Sequence, residues 1–426
     1  MVFILSNGLD AYGKVYIDIN SPAFQKFPIA VTDFQNLDGQ TGDEELTTWF
    51  SDTLSRLLKI TGFFNIISPK AFLEPPAKSA QLPERINFSD WSVIGAEYLV
   101  KGGYQYHSEN LVAEFRLYDV VKGRLLIGKR YTGANQDRKE MAKRFADEVI
   151  SALTGERGVF DTRIAFVTKK GAEADLYVTD FEGSFVTKIT NHKAFMIAPR
   201  WSPDGRYLSF TSYRSGNPDL YVADLIKNKI HRMAHFEGIN LSGCWSPDGK
   251  KLLMTLSKDK NEEIYVMEME TGKLERLTNN YAIDVSPTWS PDGEKIAFVS
   301  NRSGSPQIYI MDGDGSNVVR ISYEGGYNTS PAWSPKENRI AYESRKNSHF
   351  QIHTVKEDGT DPVQITFEAG DCETPSWSPD GRYLVYSLHS NNRQMICVIN
   401  ANGTNRRIVH EGSDAYLCPS WSNRMQ

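Results

Sequence analysis

Few residues of this chain have the type and spacing that catalysis or metal binding requires. The run from Asp312 to Gly315 spaces two carboxylates as the start of a calcium loop does, but it lacks the later glutamate of such a loop. Asp-Gly pairs also make tight turns, and we interpret this run as a hairpin. The eight histidines are scattered, and His353 is expected to pack within a strand. The sequence therefore predicts neither a metal site nor a cofactor site.

The cysteines form no recognisable redox or zinc motif. None of the four belongs to a Cys-x-x-Cys pair, so a zinc or disulfide-exchange centre is not indicated. We expect buried free thiols within strands, with a Cys372–Cys418 disulfide between neighbouring repeats as a weaker alternative. The four cysteines are Cys244, Cys372, Cys397 and Cys418.

An enzymatic interpretation starts from a repeated pentapeptide, Trp-Ser-Pro-Asp-Gly, which also occurs in propellers that stand beside serine peptidase domains. Such a peptidase needs the nucleophile elbow Gly-x-Ser-x-Gly, and this motif is absent from the sequence. Carboxylates paired across a central channel stay open as an alternative, although nothing in the sequence favours them. A propeller enzyme or a peptidase-associated propeller subunit is therefore the alternative to a binding protein.

Composition sets broad limits on the class of protein. A chain of 426 residues has room for two or more domains, and its 24% charged and 40% hydrophobic residues are ordinary for a globular protein. The net charge of −5 gives no reason to propose a nucleic-acid partner. No apolar run approaches the roughly 20 residues of a membrane span, so we expect a chain that does not cross a membrane. We also expect a monomer.

The elements that must position any site follow from a repeat of 44 residues. Six tryptophans recur at this interval, and four of them open the pentapeptide. One tryptophan in about 40–45 residues is typical of a four-stranded propeller blade. The six are Trp201, Trp245, Trp289, Trp333, Trp377 and Trp421.

Each repeat predicts four strands. The tryptophan ends the first strand, and Ser-Pro-Asp-Gly turns the chain because proline presets φ and glycine accepts positive φ. The second strand alternates polar and apolar residues, as in Lys295 to Val299. A residue such as Tyr309 marks the third strand, and an Asp-Gly or Asn-Gly hairpin leads to the fourth.

The two ends of the repeat region predict how the ring closes. A triplet of second-to-fourth strands begins near Arg163, before the first tryptophan strand. The last tryptophan strand, Pro419 to Trp421, has no triplet after it. We therefore predict an all-β, six-bladed β-propeller over residues 158–426, in which the C-terminal strand completes the first blade and removes an open sheet edge.

Residues 12–157 predict a separate α/β domain. Phe27 to Val31 has the pattern of a strand, and a capping box at Thr41 to Glu44 begins an amphipathic helix. Three antiparallel strands follow, and a second helix starts near Arg138 and ends at the C-cap Gly155. This domain has neither a Gly-rich phosphate loop nor a cluster of metal ligands.

Function is therefore expected on the variable loops between the repeats. The loops between second and third strands are rich in cations, which in an acidic chain would steer an acidic partner. The alternative is that these cations are solvated and bind no partner. Segments that enter the tryptophan strands bring aromatic, amide and acidic groups to the channel mouth, a mixture that suits protein recognition. The cationic candidates are Arg214, Arg302 and Arg345. The channel-mouth candidates are Phe195, Met196, Asn240, Asp284, Tyr327, Asn328, Asp371, Glu373 and Tyr416.

The combination of domains resembles the TolB family, the periplasmic propeller proteins of the Tol-Pal system of Gram-negative bacteria. The resemblance runs from about residue 12 to residue 422, and three segments carry it: Ala96 to Gly102, Leu117 to Val121 and the junction Ala152 to Val167. It implies a non-enzymatic periplasmic adaptor that binds the peptidoglycan-associated lipoprotein Pal at the channel mouth. It also implies a role in outer-membrane integrity and in envelope constriction during cell division.

The Pal site is implied only by region. A histidine that the family often has before its second tryptophan strand is replaced here, where Ile239 and Asn240 stand. The resemblance therefore assigns Pal binding to the loops around the channel mouth and not to single residues.

The resemblance also implies a second partner, TolA, bound by the extreme N-terminus. Residues 1–11 are expected to be the remnant of an export signal, and the alternating segment after them suits strand addition to a partner. The TolA-binding candidates are Tyr12, Val15, Tyr16, Ile17 and Asp18.

We predict that the protein isolated from its native cells begins at Tyr12, because export would remove the preceding signal. N-terminal sequencing or intact-mass measurement checks this start. A mature chain that begins at Met1 would contradict it.

Overall fold

The computed structural model describes residues 24–38, 44–73, 86–191, 194–345 and 348–425. Within these ranges it confirms the predicted fold class, an α/β part followed by a six-bladed β-propeller. The expected signal remnant, the TolA-binding candidates and the capping residues Thr41 to Asp43 lie outside the described residues.

The α/β part is a mixed sheet with two long helices. Its elements are β1 (Phe27–Val31), β2 (Gln35–Asn36), α1 (Glu44–Ile60), β3 (Phe64–Ile66), α2 (Phe88–Val93), β4 (Tyr98–His107), β5 (Asn110–Asp119), β6 (Arg124–Gly133) and α3 (Arg138–Thr154). The sheet order is β3-β1-β4-β5-β6, with β2 paired to β4. The predicted β1, the antiparallel β4-β5-β6 and both long helices are confirmed. The short β2, β3 and α2 were not predicted, because so few residues show no period.

Each long helix buries one apolar face. Phe50 and Leu54 of α1 and Met141 and Phe145 of α3 lie in one core, at the spacing of three or four residues that one helix face requires. Gly155 ends α3 with a φ of 81°, a left-handed conformation that glycine adopts without a Cβ clash. The predicted C-cap is therefore confirmed.

Six four-stranded blades follow. Blade 1 takes β7 (Arg163–Lys170), β8 (Glu173–Asp180) and β9 (Val186–Lys188), blade 2 takes β10 (Met196–Trp201), β11 (Tyr207–Ser212), β12 (Asp219–Asp224) and β13 (Lys229–Ala234), and blade 3 takes β14 (Asn240–Trp245), β15 (Lys251–Leu256), β16 (Glu263–Glu268) and β17 (Leu274–Arg276). Blade 4 takes β18 (Asp284–Trp289), β19 (Lys295–Ser300), β20 (Gln307–Asp312) and β21 (Val319–Arg320), blade 5 takes β22 (Tyr327–Trp333), β23 (Arg339–Arg345), β24 (Phe350–Lys356) and β25 (Val363–Gln364), and blade 6 takes β26 (Asp371–Trp377), β27 (Tyr383–Ser390), β28 (Arg393–Asn400) and β29 (Arg407–Gly412). The predicted boundary between residues 157 and 158 falls between α3 and β7 and stays a prediction.

The C-terminal strand β30 (Ala415–Trp421) closes the ring. It pairs antiparallel with β7, and Trp421 lies opposite Ile164. The indole Nε1 of Trp421 donates to Thr162 Oγ1 at 2.9 Å, and the amide of Arg163 donates to Ser422 Oγ at 2.9 Å. The predicted closure is confirmed, and β7 is covered along its inner edge.

The tryptophan strands surround a central channel. Each of them contacts the tryptophan strands of the two neighbouring blades, so they are the innermost strands. All six are bulged, as β10 is between Ile197 and Arg200, where Ala198 has a φ of 54°. A bulge bends the strand and redirects the side chains that follow it.

Alternating strand direction divides the connections between two faces. The turn face carries the Ser-Pro-Asp-Gly turns and the hairpins between third and fourth strands, residues 202–206 and 225–228 in blade 2. The loop face carries the loops between second and third strands and the segments that enter the next innermost strand, residues 213–218 and 235–239 in the same blade. These two names are used below.

The α/β part packs on the turn face, at blades 6 and 1. Tyr383 of blade 6 donates its hydroxyl to Thr61 O at 3.1 Å, and Asn405 donates to Ile60 O at 3.3 Å. The ring of Phe63 lies 5.7 Å from that of Tyr383. A partner that binds the loop face therefore approaches from the opposite side of the propeller.

A buried ionic cluster joins the same two parts. Lys143 of α3 lies 2.8 Å from Asp180 and 3.2 Å from Glu182, and Glu182 also pairs with Arg56 and Lys139. Burial opposes ionisation of Asp180, but the hydrogen bonds from Lys143 and Ser184, together with the charge of Lys143, outweigh it and hold the pKa of Asp180 below its ordinary value. The cluster thus fixes α1 and α3 against the first blade.

Lys143→Met should destabilise the protein by about 3 kcal/mol, because removing one partner leaves buried carboxylates without compensation. Lys129→Met is the matched control: Lys129 pairs with Glu148 at 2.9 Å with both side chains about two-fifths exposed, and its loss should cost less than about 1 kcal/mol. Urea unfolding measures both. Equal losses would contradict the assigned role of the cluster.

Candidate protein-binding face of the propeller

The loop face is held together by hydrogen bonds between successive blades. Asn217 of blade 2 donates to Gly238 O at 2.7 Å, in the segment that enters blade 3. Asn261 of blade 3 repeats the contact with Ala282 O at 2.6 Å. In these two blades the loop between the second and third strands thereby supports the segment that enters the next blade. Exposed side chains on this face stand on a rigid base, as a preorganised binding surface requires.

Five of the channel-mouth candidates are buried. Asn240, Asp284 and Asn328 share one repeat position and have no exposed surface. Asn240 donates to Phe236 O at 2.9 Å and accepts from the Phe236 amide at 2.9 Å. The repeat interval itself was the sequence signal that these side chains belong to the scaffold. Met196 and Tyr416 are the other two members.

A mutation at these buried positions would change binding through the shape of the loops. These five candidates therefore lie beneath the protein surface. Direct contact of their side chains with a partner stays a prediction.

Arg302 is tied to one of those buried groups. Its guanidinium donates to Asp284 Oδ2 at 2.9 Å and to Ser300 Oγ at 2.9 Å. Burial raises the pKa of Asp284, while Ser300, Arg302 and Asn280 oppose that rise. About one quarter of the Arg302 side chain is exposed. Its charge is therefore shared between the scaffold and the surface.

A patch at blades 5 and 6, called here the blade-5 patch, gathers exposed candidates. The guanidinium of Arg345 lies 5.5 Å from the ring centre of Tyr327 and 5.4 Å from that of Phe350. Asp371 accepts from the Phe350 amide at 2.8 Å and lies 3.3 Å from His349. The sequence predicted Arg345, Tyr327 and Asp371 as binding candidates. It did not predict His349 or Phe350, which belong to the patch only because they contact Asp371 and Arg345 in the folded protein.

The remaining exposed candidates lie on other blades. Arg214 of blade 2 lies with its guanidinium 5.4 Å from the ring centre of Tyr221. Phe195, at the entry to blade 2, is partly exposed beside Lys169, whose ammonium lies 5.1 Å from its ring. The candidates therefore form no single cluster, and the blade-5 patch is the part that the structure brings together.

Three large aromatic side chains on the loop face escaped the sequence prediction. Tyr281, Tyr323 and Phe367 are 88%, 67% and 80% exposed and lie in the segments that enter blades 4, 5 and 6. Aromatic side chains are enriched among the residues that contribute most to protein–protein binding. The signal that would have found them is an aromatic residue within an otherwise polar connection.

Acidic groups meet beside the channel in blades 5 and 6. Glu343 Oε2 accepts from the Thr374 amide at 2.7 Å, and burial raises the pKa of Glu343 to about 7. Glu373 lies 3.4 Å from His389, and burial also raises the pKa of Glu373. Glu343 and His389 were not predicted from the sequence. The Glu343 side chain is buried against strand β26, which contains Thr374, and a substrate in the channel would not reach it.

The described residues give little support to metal or thiol chemistry. Among them, no group of three or more His, Cys, Asp or Glu side chains could hold a metal ion. All four cysteines are free, so the alternative of a Cys372–Cys418 disulfide is wrong. Burial raises the pKa of Cys372 to about 12, which makes this thiol a packing group.

Glu343→Gln should remove a pH dependence of stability. A carboxyl with a folded-state pKa of about 7, against 4.5 unfolded, favours folding below pH 4.5 and loses about 3 kcal/mol of stability as pH rises to 7. Glutamine keeps the Thr374 bond without the charge, so the variant should gain on the parent as pH rises. Urea unfolding at pH 4.5 and pH 8 measures the difference. Glu294→Gln, which removes an exposed carboxyl, is the control; parallel pH profiles of parent and Glu343→Gln would contradict the assignment.

Known proteins are similar to this chain in sequence and in fold. The Tol-Pal system protein TolB of Syntrophus aciditrophicus is 49% identical over 206 residues, which cover 47% of this chain and 46% of that protein. The protein of the same name from Syntrophotalea carbinolica is 38% identical over 193 residues, 45% of each chain. The chain thus spans about half the length of the curated relatives it matches.

The solved structure of TolB from Acinetobacter baumannii superposes with a TM-score of 0.83 at 26% identity, over 94% of this chain and 97% of that one. Two family models also match: the TolB amino-terminal domain over residues 15–126 and the TolB beta propeller domain over residues 150–425. The propeller match alone spans more than half of the sequence, so the chain belongs to the TolB family.

Proposed function

We propose that the protein is a non-enzymatic periplasmic adaptor of the Tol-Pal system. It binds the lipoprotein Pal through the loop face of the propeller and TolA through its N-terminal segment. In this role it supports outer-membrane integrity and envelope constriction during cell division. Membership of the TolB family supports the assignment, and no helix of the described residues is long and apolar enough to cross a membrane.

The observation that carries Pal binding is the chemistry of the loop face. Tyr281, Tyr323 and Phe367 expose most of their rings there, and Tyr327 and Arg345 add a half-exposed ring and a cation. Aromatic and arginine side chains contribute most of the binding energy at protein interfaces. The α/β part occupies the turn face, so the loop face is the surface on which a folded partner has room to dock.

Charge also favours an acidic contact surface on Pal. The blade-5 patch places Arg345 over two rings, where its cation is held in one orientation before a partner arrives. A cation on this face attracts an acidic partner, and its fixed orientation lowers the entropy lost on binding. We therefore place the first contact with Pal at the blade-5 patch.

TolA binding rests on sequence and family alone. Tyr12, Val15, Tyr16, Ile17 and Asp18 lie outside the described residues. Their alternating pattern suits pairing as an added strand, in which main-chain hydrogen bonds supply affinity and alternate side chains supply specificity. Removing residues 12–18 should abolish TolA binding and leave Pal binding intact.

Reversing charge on the loop face should weaken Pal binding. Arg345→Glu alone should raise the dissociation constant about 10-fold, and Arg302→Glu combined with it about 30-fold or more, chiefly through slower association at low salt. A titration of the purified periplasmic domain of Pal, followed by biolayer interferometry, measures both constants.

Lys250→Glu provides the matched control, because Lys250 is an exposed cation beside a turn on the opposite face. Its effect should stay within about 2-fold. Equal effects of the control and Arg345→Glu would remove the face assignment. Failure of the parent chain to bind Pal at all would overturn the proposed function itself.

A further inference from the structure

Two buried carboxyl groups lie beneath the part of the loop face that carries Tyr281. Glu263 begins the third strand of blade 3, and Asp284 begins the innermost strand of blade 4. Neither residue has any exposed surface. Burying a carboxylate is unfavourable unless its charge is compensated and its oxygens are hydrogen-bonded, so the partners of this pair decide how it behaves.

The next repeat shows how close these two positions are. Gln307 and Asn328 follow Glu263 and Asp284 by 44 residues each, and both are buried. The side chain of Asn328 donates Nδ2 to Gln307 Oε1 at 2.7 Å. The repeat thus places the two positions within hydrogen-bonding distance, and in blades 3 and 4 it brings two carboxyl groups together where blades 4 and 5 have two amides.

Asn280 links the two carboxyl groups directly. Its backbone amide donates to Glu263 Oε1 at 2.9 Å, and its side chain donates Nδ2 to Asp284 Oδ2 at 2.7 Å. The backbone amide of Asp284 donates to the carbonyl oxygen of Glu262, the residue before Glu263, at 2.9 Å. The pair therefore holds residues 279–283, called here the Tyr281 segment, from below.

One oxygen of each carboxyl group has no partner. Arg276 donates to Glu263 Oε1 at 3.0 Å and Arg302 to Asp284 Oδ2 at 2.9 Å, the same oxygens that Asn280 contacts. The other two oxygens, Glu263 Oε2 and Asp284 Oδ1, are buried and have no hydrogen-bond partner within the described residues. Two carboxylates can only accept, whereas a protonated carboxyl can donate. A single proton therefore supplies the missing donor, as the amide of Asn328 does in the next repeat.

The surrounding charges keep the pair able to gain and lose this proton. Arg276 and Arg302 favour ionised carboxyl groups, while burial and the repulsion between Glu263 and Asp284 oppose ionisation. Burial has the largest effect on Asp284 and raises its pKa, and the charge of Glu263 adds to the rise. The charged and titratable groups around the pair are Arg276, Arg302, Lys258, Asp259, Tyr265 and Tyr309.

We propose that Glu263 and Asp284 bind one proton between them, and that this proton fixes the Tyr281 segment on the loop face. With the proton bound, the two side chains share a hydrogen bond that joins blade 3 to the entry of blade 4. Without it, two carboxylates oppose each other and the segment is held less firmly. Acid therefore strengthens this joint.

The effect on folding has the same sign. The folded-state pKa of Asp284 lies above its ordinary value of 3.8. The proton therefore stabilises the fold fully below pH 3.8, and this stabilisation is lost as pH rises through the folded-state pKa. Tyr281, 88% exposed, is then presented on a less rigid base. Weaker Pal binding at higher pH follows from this, and that consequence alone rests on the proposed function.

The test compares the parent chain with Asp284→Asn, in which a neutral amide supplies a donor at every pH. Hydrogen exchange of the backbone amides of residues 279–283 is followed by mass spectrometry from pH 4.5 to pH 8, without a partner and corrected for the intrinsic pH dependence of exchange. Protection in the parent should fall at least about 5-fold as pH rises, whereas Asp284→Asn should keep it constant. Glu237→Gln removes an exposed carboxyl from the segment that enters blade 3 and should follow the parent.

Three results would overturn the inference: constant protection in the parent, the same pH dependence in Asp284→Asn, or protection that millimolar Ca²⁺ raises in place of acid. If Asp284→Asn does not fold, Glu263→Gln combined with it rebuilds the pair of Gln307 and Asn328 and takes its place. The Pal dissociation constant should rise with pH in the parent only. Loss of Pal binding in every chain would contradict the proposed function, while hydrogen exchange still decides the proton site.

Discussion

The pairing of β30 with β7 is the interaction on which the rest of the structure depends. It joins residues separated by 259 positions, as in the hydrogen bond from Trp421 to Thr162. Because β30 supplies the innermost strand of blade 1, the channel and the complete loop face exist only once the ring is closed. The entropy cost of closing such a long loop grows only slowly with the length of the loop. Pairing along the edge of β7 offsets that cost and removes an open sheet edge.

The α/β part makes the two faces of the propeller different, because it packs on only one of them. The buried cluster around Lys143 and the contacts of Tyr383 hold it on the turn face, beside blades 6 and 1. The α/β part therefore covers part of the turn face, and the loop face lies on the opposite side of the propeller. This docking geometry favours the loop face as the surface for a large protein partner.

The candidate residues show where sequence reasoning reached its limit. Asn240, Asp284 and Asn328 were grouped with surface residues, because amide and acidic groups in loops are usually exposed. The structure buries them, because Asn240 bonds to the backbone of Phe236 and Asp284 to the side chains of Asn280 and Arg302. Tyr281 and Phe367 went unnoticed for the converse reason: an aromatic residue in a connection is predicted to pack, and its exposure depends on neighbouring blades.

The sequence by itself determined the six blades, their closure by the C-terminal strand, the α/β part and the family. These features follow from a period of 44 residues, turn chemistry and helix caps, all of which are local in the chain. Only the tertiary structure decided which loop residues are exposed and where the α/β part docks. Those outcomes depend on contacts between blades, and contacts between residues far apart in the chain leave no periodic trace in a single sequence.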